Sequence, residues 1–274
     1  MSERGVFIHE TATVHSKARL DTQISIGPYC YVGEKVLLNK GTRLEAHVFI
    51  TGKTEIGQNC VFSPFSSIGT EPQDVTYKEE ETVTKIGDRN IFREFVTVNR
   101  GTIKGGGQTI IGNDNYFMAY AHVAHDCLVG NETIFTNGAS LAGHVRVDDH
   151  VYISGFCGIH QFCRVGKYAF IGGYSVITQD VMPFSKVAGS RPALIYGLNA
   201  VGLRRKGFSR ERINDLKEMF KIIFYSDLNT SQALERIDER FKFSEDKEEI
   251  IAFIDSSKRG ILKKTGEAWE TNLG

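Results

Sequence analysis

Over most of its first 180 residues, every sixth residue of this chain is large and apolar, and that period narrows the available folds more than any other feature. From Ile8 the series runs through Val14, Leu20, Ile26, Val32, Leu38, Leu44, Ile50, Ile56 and Phe62 to Ile68 without a miss. A second run is Ile86, Phe92 and Val98, and a third goes from Ile111 to Ile177, making 26 hexads. Four residues after each apolar position the side chain is usually small or β-branched, as at Ala12, Thr54, Ser66, Ala121 and Ala169. These are two inward positions per hexad, one roomy and one tight. Such a period fits neither a 3.6-residue helix nor a two-residue strand. It fits short strands separated by corners, three hexads closing an 18-residue triangular coil whose neighbours stack as parallel strands about 4.8 Å apart. The expected fold is a parallel β-helix. Parallel crossovers are right-handed in most folds, and the period by itself does not choose the hand.

Residues 69–85 and 99–110 interrupt the repeat and are expected to be loops thrown out from the prism, where a rigid scaffold commonly carries binding groups. After Pro183 the hexads stop. Ile213, Leu216, Phe220 and Ile223 take helical spacing behind Ser209, a candidate N-cap; Leu234, Ile237 and Phe241 follow Thr230 and Ser231, and a third helix follows Ser244. The chain therefore divides into a mainly β prism over 1–191 and a small α-helical C-terminal domain over 192–274.

Composition excludes several classes. Lys and Arg together number 33 and so do Asp and Glu, so nothing draws the chain to nucleic acid or to an anionic membrane. The N-terminal MSERGVFIHE lacks the apolar stretch of a secretory signal, and no window approaches the 18 to 20 apolar residues of a membrane span, so no integral membrane segment and a cytoplasmic location are expected. The five cysteines, Cys30, Cys60, Cys127, Cys157 and Cys163, all fall at the tight inward position. They are expected to be buried thiols, with no disulfide framework and no role as metal ligands.

Eighteen-residue stacking turns sequence separation into spatial neighbourhood. Gly143 lies one coil above His125 and Gln161 one coil above Gly143; the next corner position carries Asp126, His144 and Phe162, with His122 and His160 close by. A carboxylate beside an imidazole fixes its tautomer and stabilises the imidazolium, which makes a general base. Asp126 would orient His125, and the Gly143 N–H would donate to an oxyanion. Clustered histidines also suit zinc, as in the hexapeptide-repeat carbonic anhydrases, but this set lacks the spacing of a compact closed site. No metal is expected. Between Arg191 and Arg212 six basic residues face the single acidic Glu211. That stretch reads either as a solvated helix face or as a landing site for phosphate or an acidic protein.

The strings IGTEPQDVTY, NRGTIKGGGQT, AHVAHDCLVG, LAGHVRVDD, GIHQFCRVG and GLRRKGFSR resemble the acyl-ACP:UDP-N-acetylglucosamine O-acyltransferase family along essentially the whole chain. The resemblance implies a left-handed β-helix, a homotrimer with sites in clefts between subunits, and no cofactor. It implies transfer of a (3R)-hydroxyacyl chain from acyl carrier protein to the 3-position of UDP-N-acetylglucosamine or its 3-amino analogue, the first step of lipid A biosynthesis. It also implies roles: His125 as general base, Asp126 as its orienter and the Gly143 N–H as oxyanion donor. Asp74, His122, His144 and Gln161 would hold the sugar and pantetheine, with His160, Asn199 and Arg205 toward the nucleotide and Gly173 at the acyl-length ruler. Three positions depart from the family pattern: Thr76 stands where relatives commonly have a lysine, Val201 where a glutamate is expected, and Asn99 where a histidine is frequent. A related N-acyltransferase carries an additional N-terminal uridine-binding domain, for which hexads starting at Ile8 leave no room. Other hexapeptide acyltransferases that use a CoA donor, and a non-catalytic β-helix scaffold, are the alternative readings.

Overall fold

The computed structural model describes residues 5–242, 244–263 and 265; the last residues of the expected helical region, 266–274, lie outside them. A strand ends on or spans each of the 26 periodic apolar positions, from Phe7–Ile8 to Val176–Ile177. Every third strand pairs in parallel with the one a coil away, which among the described residues builds three faces of 11, 9 and 8 strands. The chain visits them in turn, so a first edge lies between the first and second faces, a second between the second and third, and a third between the third and first. This is a left-handed parallel β-helix followed by a small helical region.

The inward positions make the core. Ile26, Val32, Leu38, Leu44, Ile50 and Ile56 are essentially inaccessible. The rings of Phe62, Phe92, Phe117 and Phe135 stack through the prism at 4.7, 4.7 and 4.8 Å, the coil repeat itself. All five cysteines are buried and free. Burial pushes their thiols up, that of Cys127 to about 12, as expected of small core residues away from any reactive environment.

Most corners turn through one residue in the left-handed region, among them Asp126 at φ 60 and His144 at φ 63. The N–H of that residue bonds to the coil below, as His144 N donates to His125 O at 3.0 Å and Phe162 N to Gly143 O at 3.2 Å. These bonds keep successive corners in register, and stacking by eighteen follows from them.

The extruded segments are shorter than the hexads suggest. Strands Ser67–Thr70, Val83–Ile86 and Gln108–Ile111 extend beyond the periodic residue, so the chain leaves the prism only over about 71–82 and 100–107. At the far end Ser185–Ala188 joins the first face in parallel, and Leu194–Leu198 returns antiparallel to it. The sheet therefore continues past residue 191. Among the described residues four helices follow: α1 (Ala200–Arg205), α2 (Arg210–Tyr225), α3 (Thr230–Arg240) and α4 (Glu245–Asp255). Ser209 and Ser244 cap α2 and α4 as the sequence suggests. The cap of α3 is Asn229, one residue before Thr230, because Asn229 and Gln232 form a reciprocal capping box. Phe208, Ile213, Leu216, Phe220, Ile237 and Phe253 pack a second core against Met182, Phe184 and Leu198 at the end of the prism.

Candidate active site

After the strand His122–Val123 the chain turns the second edge through Ala124, His125, Asp126 and Cys127. Val123 and Cys127 point inward and are buried, so the residues between them are held from both sides. The Asp126 N–H donates to Thr109 Oγ1 at 2.8 Å. Its carboxylate accepts the His125 Nδ1 proton at 2.8 Å on Oδ2. An ionised carboxylate only accepts, so Nδ1 carries the hydrogen and Nε2 is left with a free lone pair.

Asp126 is more buried than a prism corner suggests, its side chain being 0% exposed while that of His125 keeps 15%. The cover is the segment 100–107, which folds back from the coil below. Thr102 N donates to Asp126 Oδ1 at 2.8 Å and Thr102 Oγ1 to Oδ2 at 2.7 Å. Gly105 closes over the same carboxylate so tightly that a Cβ there would fall 2.0 Å from Asp126 Cγ. Sequence reasoning missed Thr102. Its one trace is a Thr three residues before the first of three glycines, the cap of the 3-10 turn Ile103–Gly105.

One coil above, Gly143 passes close to the imidazole. A Cβ at this position would lie 2.5 Å from His125 Cε1 and 2.8 Å from Nε2, so only glycine lets the base and the backbone approach this way. Among the described residues the Gly143 N–H meets no acceptor. His144 stands edge-on to His125 with centroids 5.1 Å apart and stacks on Phe162 at 4.4 Å. Burial pushes the His144 imidazole down, against the opposite pull of Asp126. His122 bonds through Nδ1 to Thr97 Oγ1 at 2.7 Å, and burial, aided by the charge of His125, pushes it down too. Both favour the neutral form.

The ligand atoms of His125, Asp126 and His144 lie within 4.8 Å of one another and could hold a metal ion. Binding one would take a carboxylate oxygen from partners that already occupy both, Thr102 N on Oδ1 at 2.8 Å and His125 Nδ1 and Thr102 Oγ1 on Oδ2 at 2.8 and 2.7 Å. The donor set fits a proton-transfer pair better.

His160 and Gln161 lie higher on this second edge, both exposed, with His160 Nδ1 3.1 Å from Gln161 O. Asp74, in the segment 71–82, accepts from Thr76 N at 2.8 Å and Thr76 Oγ1 at 2.9 Å. These bonds hold its carboxyl below the usual range, with smaller pulls from His125 and Lys104. At Thr76, where the resemblance expects a lysine, the ammonium of Lys104 comes in from the other segment, its Nζ 2.9 Å from Thr76 Oγ1. Asn99 is buried and donates to Thr70 Oγ1 at 3.0 Å and Glu71 O at 2.8 Å, pinning the start of the 71–82 segment.

Three expected residues are not brought to this corner within one chain. Gly173 lies exposed on the first edge, where a Cβ would meet Gly155 O at 3.5 Å, an ordinary contact. Asn199 and Arg205 belong to the third edge. Asn199 caps α1 and donates to Tyr168 O at 2.9 Å, and Lys206, beside Arg205, pairs with Glu132 at 2.7 Å. Val201, where a glutamate is expected, is exposed on α1.

A parallel β-helix whose corner presents a carboxylate-fixed histidine beneath a glycine amide has the build of a hexapeptide-repeat acyltransferase. A protein-family profile described as UDP N-acetylglucosamine O-acyltransferase, domain 2, matches residues 180–262. The chain is 51% identical over 93% of its length to an acyl-(acyl-carrier-protein)–UDP-N-acetylglucosamine O-acyltransferase of Thermodesulfovibrio yellowstonii, covering 99% of that protein. The UDP-N-acetylglucosamine acyltransferase structure from Bacteroides fragilis superposes with a TM-score of 0.91 at 39% identity, over 94% of this chain and 100% of that one. That from Francisella novicida gives 0.91 at 37%, over 98% and 99%. The chain belongs to the acyl-ACP:UDP-N-acetylglucosamine O-acyltransferase family.

Proposed function

We propose that this chain transfers a (3R)-hydroxyacyl group from acyl carrier protein to the 3-position of UDP-N-acetylglucosamine, or of its 3-amino analogue, in the first step of lipid A biosynthesis. The observation that carries the reading is the His125–Asp126 pair facing the Gly143 amide. His125 Nε2 takes the proton of the sugar nucleophile as it attacks the thioester carbon, and Asp126 stabilises the imidazolium that forms. The Gly143 N–H donates to the oxyanion of the tetrahedral intermediate. When the C–S bond breaks, the imidazolium returns the proton to the leaving thiolate, giving the acylated sugar and the free carrier thiol.

His122, His144, His160, Gln161 and Asp74 flank this corner and would hold sugar and pantetheine. Gly173, Asn199 and Arg205 sit on the other two edges, so a site containing all of them needs edges from more than one chain. We therefore read the protein as a homotrimer of about 92 kDa, three times 30.6 kDa, with the β-helix supplying the catalytic pair and the helices that follow the strand Leu194–Leu198 adding Asn199 and Arg205. The stacked and exposed rings of Tyr29, Phe65, Phe95, Tyr120, Phe156 and Tyr174 along the first edge support this, since such apolar stripes mark contact surfaces. No helix among the described residues is long and apolar enough to cross a membrane, and a cytoplasmic enzyme is the reading that fits its soluble substrates.

Mass spectrometry of products formed from mixed hydroxyacyl carrier proteins and both UDP-sugars tests the proposal. A singly acylated UDP-sugar is expected. Transfer from acyl-CoA alone would move the chain to another hexapeptide acyltransferase activity, and no product with either donor would leave a scaffold.

A further inference from the structure

We propose that Lys104 is a substrate-positioning residue whose ammonium receives a phosphate group of one of the two substrates above the His125 corner. The inference rests on the acyl transfer proposed above, because both substrates of that reaction carry phosphate. One is the diphosphate of the UDP-sugar and the other the phosphodiester of the carrier's pantetheine arm.

The backbone around Lys104 is fixed on the catalytic pair. Lys104 is the middle residue of the turn Ile103–Gly105. On one side Thr102 gives two hydrogen bonds to Asp126, and on the other Gly105 is pressed against the same carboxylate. The lysine stem therefore starts from a frame locked to Asp126, although Lys104 itself is exposed.

The ammonium stands where the two extruded segments meet. It donates to Thr76 Oγ1 at 2.9 Å, and the Thr76 hydroxyl donates in turn to Asp74 Oδ1 at 2.9 Å. Thr76 is neutral, and among the described residues no carboxylate comes within ion-pairing distance, 4.0 Å, of Lys104. Two of its three N–H donors are left for a ligand. Arg100, the other cation of the 100–107 segment, is committed to Glu71 Oε1 at 3.1 Å, Gly69 O at 3.1 Å and Tyr77 OH at 3.1 Å. Burial favours neutral His122 and His144. Of the two cations of the 100–107 segment, Lys104 is thus the one left to a ligand, beside two carboxylates that would otherwise repel a phosphate.

Steady-state kinetics of the full chain with both substrates varied tests this. Lys104→Ala should raise KM roughly ten- to hundredfold for one substrate, the loss of a charge-assisted contact, with kcat changed by only a few-fold. A rise for the UDP-sugar assigns the diphosphate, and a rise for acyl carrier protein assigns the pantetheine phosphodiester. Lys104→Gln keeps a donor for Thr76 and removes the charge, so it should be as impaired as Lys104→Ala. Lys104→Arg should keep most of the affinity. The double variant Thr76→Lys, Lys104→Ala should recover it, since the replaced side chains touch at 2.9 Å. Lys104→Gln with both KM values at the wild-type level would overturn the inference and leave Lys104 a loop clasp. A drop in kcat alone in Lys104→Ala would do the same. A wild-type chain without acyl transfer would overturn the functional reading and this inference with it, whereas an active wild type with unaffected Lys104 variants overturns the inference only.

Discussion

At the scale of single residues, the site concentrates its chemistry on one imidazole and spends two neighbours on holding it. His125 is the group with both a carboxylate on Nδ1 and a glycine amide across from its other nitrogen. His125→Ala should lower kcat by roughly 10² to 10⁴-fold, the contribution of a lost general base, and leave the circular dichroism spectrum unchanged. Near-normal turnover in that variant would move the base elsewhere in the cluster. Thr102 acts one step removed, through Asp126. Thr102→Val keeps the shape but removes a donor that fixes Asp126 Oδ2, and with it the His125 ring; the looser orientation of the base should cost about 1 to 2 kcal/mol in the transition state, or five- to thirtyfold in kcat. The lost donor leaves Asp126 a stronger partner for the imidazolium, so the acid limb of the pH–rate profile should move to higher pH, and Thr102→Ser should return it. A second pH effect concerns folding. His122 and His144 bind protons less readily folded than unfolded, because burial lowers both. Their contribution to stability is complete above the unfolded imidazole value of about 6.5 and is lost as pH falls below it through the lowered folded values. Melting temperature should therefore fall between pH 7 and 5. His122→Gln should flatten that slope, and an unchanged slope would show that other groups carry it.

At the scale of elements, the part of the fold set by repetition is legible in the sequence and the part set by single contacts is not. All 26 periodic residues lie in strands, since a position that must be apolar in every coil leaves a mark every six residues. The same arithmetic puts His125, Gly143 and Gln161 on one edge, and the corner hydrogen bonds between coils are its physical basis. Thr102 is out of its reach because the segment that carries it leaves the repeat and returns by tertiary contact alone. The strand Leu194–Leu198 pairs antiparallel with Ser185–Ala188 after the hexads stop, where no period announces it. Asn229 and Thr230 compete for the cap of α3 because either residue type can serve, and only the bond from Asn229 N to Gln232 Oε1 at 3.0 Å selects between them. Repetition also makes the core sensitive locally. Phe92 stacks between Phe62 and Phe117 at 4.7 Å on each side with no exposed surface. Phe92→Ala should cost about 3 to 5 kcal/mol as a cavity in a ladder that cannot collapse along its axis, read as an earlier denaturant midpoint.

At the scale of the whole molecule, the three edges of the prism carry three different sets of residues. The second edge holds His125 and Asp126, the first holds Gly173 and an exposed aromatic column, and the third carries α1 with Asn199 and Arg205. Corners of one prism diverge, so a substrate held by His125 and Arg205 together must bridge two chains. Closed rings of identical chains supply such contacts by repeating one heterologous interface. Light scattering should then give about 92 kDa, three times 30.6 kDa. The sharper expectation concerns mixing. His125→Ala and Arg205→Ala chains, each impaired alone, are co-expressed with different tags and purified as mixed assemblies. In a mixed trimer, two chains of one kind and one of the other, sites built from one chain's second edge and its neighbour's third edge number three, and just one of them joins an intact His125 to an intact Arg205. About a third of all sites should therefore be complete, and activity should recover to that level. If each site belonged to one chain, none would be complete. Mixed assemblies no more active than the two parents would then show that His125 and Arg205 do not serve a shared site between chains.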